Sequence, residues 1–259
     1  MSVLEENKDE RSELDTTDLS RIRNFCSIFI ILNIIEITIY LIFFNIIDYL
    51  IILGISLLSV APALVANMSM TLTGGEKLGP VDFGKNFFDN KRIFGKGKTW
   101  MGLIGGIIIG SIVGIILIPT VHLPITLFAD NQYLEYLKGN PDVVNAIKMP
   151  GIFSIIFITI KGGMSFSWEI LILRAILLSI GAPIGDLVGS FIKRRLNYER
   201  GQQLLLIDQL DFIIIALLIA LPVYPISFIC LIRIILFLPL ILVLANIIAY
   251  KTGKKSVPW

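Results

Sequence analysis

The chain has little charge and almost no histidine. Of its 259 residues 16% are charged and 55% hydrophobic, with a mean hydropathy of +0.83. Soluble domains carry about 25% charged residues, so this composition points away from a water-soluble globule and excludes disordered and collagen-like chains. A single histidine, His122, leaves no material for a His-based zinc site, a Ser-His-Asp triad or a histidine relay. Cys26 and Cys230 lie in apolar runs without metal-type spacing, which excludes a disulfide scaffold and leaves them as small apolar residues. The apolar runs lack period-2 alternation, which excludes barrel strands. No secretory leader is expected, because residues 1–20 hold seven acids and two bases and read as a disordered tail. The net charge is +2, and what matters is where the charges sit; no nucleic-acid partner is expected.

Long apolar runs stand where those features are missing. Crossing roughly 30 Å of hydrocarbon takes about 20 apolar residues, and the stretches 25–47, 49–66, 101–119, 168–188, 204–224 and 226–250 supply them. The expected fold is an all-α polytopic membrane protein of six transmembrane helices. Lysine and arginine mark the cytoplasmic side, and they cluster before residue 25, in the connections 71–100 and 189–203, and after residue 250. Both termini are therefore expected in the cytoplasm, with residues 1–24 as a tail. The apolar run 149–160 is too short to cross, so it is placed as an interfacial piece of an outer segment, 120–167.

Three carboxylates are candidates for chemistry. Asp186 lies near the inner end of the fourth expected span, and Asp208 and Asp211 lie inside the fifth. A spacing of three puts Asp208 and Asp211 on one helix face, about 5–6 Å apart at Cβ. A charge at such depth is costly without a partner, and like charges on one face aggravate the cost. One such acid is most simply paired with Arg194 or Arg195. Three acids around one short basic loop favour a bound divalent cation, and oxygen-only donors select Mg²⁺ or Mn²⁺ over zinc. Ser190, Lys193 and Arg194 follow Asp186 at plus four, seven and eight, on the same helix face, where an anion drawn to the metal would meet them. The run Gly95-Lys96-Gly97-Lys98-Thr99 stands before an expected helix start, a place where amides and lysines bind phosphate. The cations of 71–100 also serve as topology signals and headgroup contacts. Acids, cations and a membrane setting together suggest phosphoryl or nucleotidyl transfer on a lipid, in which a phosphate oxygen attacks without a base. Catalysis would then come from positioning and charge neutralisation.

These residues form a recognisable set. The stretch GDLVGSFIKRRL at 185–196, the DQLDF at 208–212, the loop DFGKNFFDNKRIFGKGKTWMG at 82–102 and the pairs Pro62-Ala63 and Ala66-Asn67 resemble the signature of the CDP-archaeol synthase family. That family is the archaeal branch of the CTP:phosphatidate cytidylyltransferases. The resemblance covers about 49–118 and 168–250, and implies a catalytic membrane domain over 48–259 with a five-helix core. The span 25–47 and the segment 120–167 would be additions to it. It implies transfer of CMP from CTP to 2,3-bis-O-(geranylgeranyl)-sn-glycerol 1-phosphate with release of pyrophosphate. By position, Asp186, Asp208 and Asp211 would hold Mg²⁺, alone or with a second cation. Lys98, Thr99, Lys193 and Arg194 would grip the triphosphate, and Asn67, Lys85 and Asp89 would shape the nucleotide pocket.

Outside that set, Glu36 is expected to make a helix–helix hydrogen bond in its protonated form. Arg174 and Arg233 are expected to snorkel to the outer interface, and His122 to be solvated there. The rival function is a transporter or channel for a phosphorylated solute using the same acids. It requires polar residues through both halves of the bilayer, whereas the outer halves of the spans are nearly bare Ile, Leu and Val.

Overall fold

The computed structural model describes residues 16–43, 45–130, 168–198, 204–223 and 228–253, with Gln202 and Ile226. Seven α-helices account for most of them: α1 (Thr16–Phe43), α2 (Ile46–Ser59), α3 (Ala61–Thr73), α4 (Trp100–Asp130), α5 (Trp168–Arg195), α6 (Leu205–Ala220) and α7 (Phe228–Lys251). Among the described residues there is no strand, only the isolated bridges Pro80–Thr99 and Asn86–Arg92. Among the described residues four stretches are long and apolar enough to cross a membrane: Asp18–Ile42, Trp100–Ile118, Trp168–Arg195 and Cys230–Lys251.

Besides the run of α5 on to Arg195 and the end of α6 at Ala220, short of the expected 224, the helices depart from the expected spans in three places. Helix α1 starts at Thr16, so part of the expected tail is helical; Asp18 and Arg21, one turn apart, pair at 3.5 Å on it. The run 49–66 is divided between α2 and α3. Pro62 lacks the N–H that would continue α2 and is tolerated only in a first turn, so the chain breaks at Val60 and restarts with Pro62 in the opening turn of α3. Helix α4 runs on to Asp130, carrying His122 and the start of the expected outer loop. The rest of that segment, including 149–160, lies outside the described residues.

Helices α3 to α6 make the central bundle, with α5 packed most closely on α6 and α3 on α4. The core gathers Val60, Ala63, Ala66, Leu178, Phe212, Ile213, Ala216 and Leu238, among others. Small residues let these backbones meet, as they do where helices pack in lipid. A Cβ at Gly106 would stand 2.7 Å from the Ala66 carbonyl, and one at Gly110 2.8 Å from that of Pro62. On the other side of the bundle, a Cβ at Gly185 would stand 2.5 Å from the Asp211 carbonyl.

Helices α1 and α2 pack against α7. There Glu36 is no isolated acid. Arg233 Nε lies 3.2 Å from its Oε1, and the Tyr49 hydroxyl donates to Oε2 at 2.8 Å. Arg233 is wholly enclosed rather than reaching the interface, because an acid is already supplied at its own depth. Arg174 also turns inward, donating from Nη1 to the Ser59 carbonyl at 2.7 Å. That carbonyl ends α2 at the proline break and has no helical donor to meet.

Candidate active site at the loop-facing end of the bundle

The connection between α3 and α4 is folded rather than slack. After a short 3-10 turn at Glu76–Leu78, its two arms pair through Val81 N to Lys98 O (2.8 Å) and Trp100 N to Gly79 O (3.2 Å). The tip closes with Phe87 N to Lys91 O at 2.8 Å and Asn90 N to Phe87 O at 3.0 Å. Phe83 and Asn90 take positive φ, 50° and 59°, a conformation bulky residues hold only where their surroundings fix it.

What fixes it is Asp82. Its carboxylate accepts two bonds from Arg92, both at 2.9 Å, and one each from the amides of Gly84 (3.0 Å), Phe94 (3.2 Å) and Gly95 (2.9 Å). Burial alone would raise this carboxyl. The Arg92 guanidinium and the three amides outweigh burial and hold it well below the usual carboxylate range, while Arg92 is pushed up in turn.

Arginines at the end of α5 bind the loop to the bundle. Arg194 donates to the carbonyls of Phe94 (3.3 Å) and Tyr198 (2.6 Å), and its guanidinium lies against Gly95, at φ +121°, where a Cβ would stand 3.3 Å from Nη2. Arg195 donates to the carbonyls of Arg92 and Ile93 at 3.1 and 3.2 Å and ion-pairs with Asp89 at 3.3 Å. The Arg195 guanidinium also stacks on Phe191 and Phe87, 3.9 and 4.7 Å from the centroids.

This docking brings lysines to the acids. Lys98 Nζ donates to Asp186 Oδ2 at 2.5 Å. Lys193 Nζ donates to both oxygens of Asp208 at 2.9 and 3.0 Å, and Asp208 also accepts from the Leu204 amide at 3.0 Å, closing the first turn of α6. Asp211 accepts from the Phe212 amide at 2.6 Å, and its carboxylate rests on Gly189 of α5. Asp186, Asp208 and Lys98 all lie within Coulombic reach of Asp211.

Asp186, Asp208, Asp211, Lys98 and Lys193 are thus assembled in one place. The other expected site residues stand otherwise. Thr99 caps α4, accepting from the Gly102 amide at 3.2 Å. Arg194 and Asp89 are occupied in holding the loop. Lys85 is exposed on the hairpin. Asn67 and Ser190 are half-buried, with no hydrogen-bond partner for their side chains among the described residues. The amides expected to cradle a phosphate are partly used internally, Gly95 by Asp82 and Lys98 by the Gly95 carbonyl at 3.1 Å. Asp82, Arg92 and Arg195 escaped the reading of the sequence as loop-builders. The Asp82-Phe83-Gly84 stretch, a short acid two residues before a glycine, was the available signal.

Among the described residues no three of the acids, histidines and cysteines are close enough to form a ready metal cage. The donor chemistry still suits a hard cation: three carboxylates with no nitrogen or sulfur ligand beside them. Two of the three carry an ammonium group.

Long apolar helices surrounding a cluster of lysines and carboxylates define a multi-pass helical membrane protein. The family model described as CarS-like, CDP-archaeol synthase, matches residues 44–136 and 143–259. The chain is 40% identical over 200 residues to the CDP-archaeol synthase of Thermococcus gammatolerans, covering 77% of this chain and 92% of that one. It is 40% identical over 204 residues to that of Methanocaldococcus jannaschii, covering 79% and 96%. A solved structure described as an intramembrane enzyme for archaeal membrane lipids biosynthesis aligns with a TM-score of 0.51 at 28% identity, over 74% of this chain and 92% of its own. The chain belongs to the CDP-archaeol synthase family, as the motifs at 185–196 and 208–212 implied, and is an enzyme of the cytidylyltransferase class. All the assembled site residues fall inside the matched regions, whereas the whole of α1 precedes them.

Proposed function

We propose that the chain transfers CMP from CTP to 2,3-bis-O-(geranylgeranyl)-sn-glycerol 1-phosphate, at a Mg²⁺-dependent site facing the cytoplasm of a six-span protein. The observation that carries this reading is the pair of half-wet bridges, Lys98–Asp186 and Lys193–Asp208, next to Asp211. An oxygen of the lipid phosphate attacks the α-phosphorus of CTP. The bond from that phosphorus to the α,β-bridging oxygen breaks, and pyrophosphate leaves with the electron pair. The attacking phosphate is already an anion, so no general base is needed.

Lys98 and Lys193 neutralise the triphosphate, trading one anionic partner for another. The paired side chains keep 17–30% of their surface, so water reaches both bridges and eases the exchange. Asp186, Asp208 and Asp211 would hold Mg²⁺, alone or with a second cation, which when bound supplies further charge neutralisation at the phosphates. Asn67 and Ser190, with free polar groups, are available to the nucleotide, and Lys85 to the lipid or nucleotide phosphate. The cytoplasmic placement rests on the lysines and arginines of 71–100 and 189–203.

The test uses purified protein in lipid nanodiscs with the lipid phosphate, Mg²⁺ and CTP labelled at the α-phosphate. Label is expected in the lipid fraction with wild type, and label placed at the γ-phosphate in pyrophosphate. Transfer of the γ-label to lipid, or no transfer at all, would overturn the reading. For the topology, a tag between Lys138 and Gly139 should be reachable only from outside intact cells, and labelling from inside would refute six spans.

A further inference from the structure

The most enclosed cation in the described chain finds its acid outside the family match. Arg233 of α7 is 0% exposed, and the carboxylate facing it at 3.2 Å belongs to Glu36 of α1. The guanidinium lies between the rings of Tyr40 and Tyr49, 4.5 Å from each centroid. Those rings meet edge-on at 5.4 Å, and the Tyr49 hydroxyl binds the second Glu36 oxygen at 2.8 Å. Arg233 Nη1 and Nη2 are buried with no hydrogen-bond partner among the described residues. One helical turn away, Asn33 of α1 donates to the Leu236 carbonyl of α7 at 2.9 Å, so the two helices touch at a second polar point in antiparallel register.

A cation inside the bilayer must be paired where it stands. Among the described residues Arg233 has one carboxylate and two ring faces for this. Glu36 and Tyr40, which supply the carboxylate and one of the faces, both come from α1. A helix serving only as a hydrophobic tether needs no acid, and the outward face of α1, with Ile28, Ile31, Ile35 and Ile42, already provides an apolar one. We propose that Glu36 is the resident counter-ion of Arg233, and that this pair makes α1 an integral helix of the catalytic unit instead of an appended anchor. A cation inside the matched core and an acid carried by the helix outside it are coupled, so neither is replaceable alone.

The test keeps the full chain and compares Glu36→Leu, Arg233→Leu and the double variant. Two readouts serve: thermal unfolding in nanodiscs, and disulfide formation between Asn33→Cys and Leu236→Cys in a Cys26→Ser, Cys230→Ser background. Glu36→Leu is expected to lower the yield of folded protein by about tenfold or more and to lose the cross-link. Arg233→Leu should do the same in weaker form, and the double variant should recover both yield and cross-link. If Glu36→Leu gives no protein at all, recovery in the double variant still supports the pairing. A Glu36→Leu variant that cross-links and melts like wild type overturns the proposal, as does a double variant no better than the single.

Discussion

The lysine–aspartate pairs beside Asp211 and the Glu36–Arg233 pair between α1 and α7 join the same kinds of group under different burial. At the loop-facing end the paired side chains keep 17–30% of their surface. Between α1 and α7 the arginine keeps none and its glutamate 17%. A pair that water reaches exchanges partners more readily than a sealed one, from which stripping one partner costs about 3–5 kcal/mol. The first arrangement suits a place where a charged substrate must displace the resident partners; the second suits a permanent joint. The complete enclosure of the arginine, more than the identity of the ions, separates the structural joint from the proposed site in this chain.

The largest expected effect that breaks this contrast is at Asp211. Changing Asp211→Asn should reduce transfer of α-labelled CMP by about a hundredfold or more while the protein inserts and melts as before. Next, Lys193→Ala should weaken CTP binding, measured by calorimetry, about tenfold or more with little change in melting temperature, since its partner Asp208 keeps the Leu204 amide. The same change in burial logic predicts a larger structural penalty at Asp82. There Asp82→Asn gives up the charge of a fully enclosed carboxylate and one arm of its bidentate pair with Arg92, whose side chain keeps 23% of its surface, at about 1.5–3 kcal/mol per charged hydrogen bond. It should appear as faster amide exchange at Gly84, Phe94 and Gly95.

The Asp82 carboxyl ionises at lower pH in the fold than in the open chain. Its contribution is therefore complete above about pH 4 and is lost as pH falls below that toward its folded value. Exchange in the loop should rise over that acid window in wild type and stay flat in Asp82→Asn. At the small end, Arg21→Ala removes a pair whose arginine is 66% exposed and should shift stability by about 0.5 kcal/mol or less.

Helix positions were legible because the apolar runs are long and uninterrupted; α5 begins at Trp168 as expected. The break at Val60 was less so, since Pro62 sits in a run whose hydropathy hardly changes across it. Spacing correctly placed Lys193 near the acids, but its pairing with Asp208 rather than with an anion beside Asp186 depends on how α5 meets α6. That contact is set by the glycines at 181, 185 and 189, whose four-residue repeat was visible but carries no sign of which helix it faces. The lysine on Asp186 comes from 88 residues away, through a loop whose folding depends on a buried acid that composition disguises as one more charge.

The five donors gathered on Asp82 have one more consequence. A hairpin organised around its own carboxylate has an internal keystone and owes nothing to any dissolved ion for its shape. Under the proposed Mg²⁺ dependence, treatment with a chelator should therefore yield a silent enzyme whose loop amides remain as protected as before, and returning magnesium should restart turnover with no refolding delay.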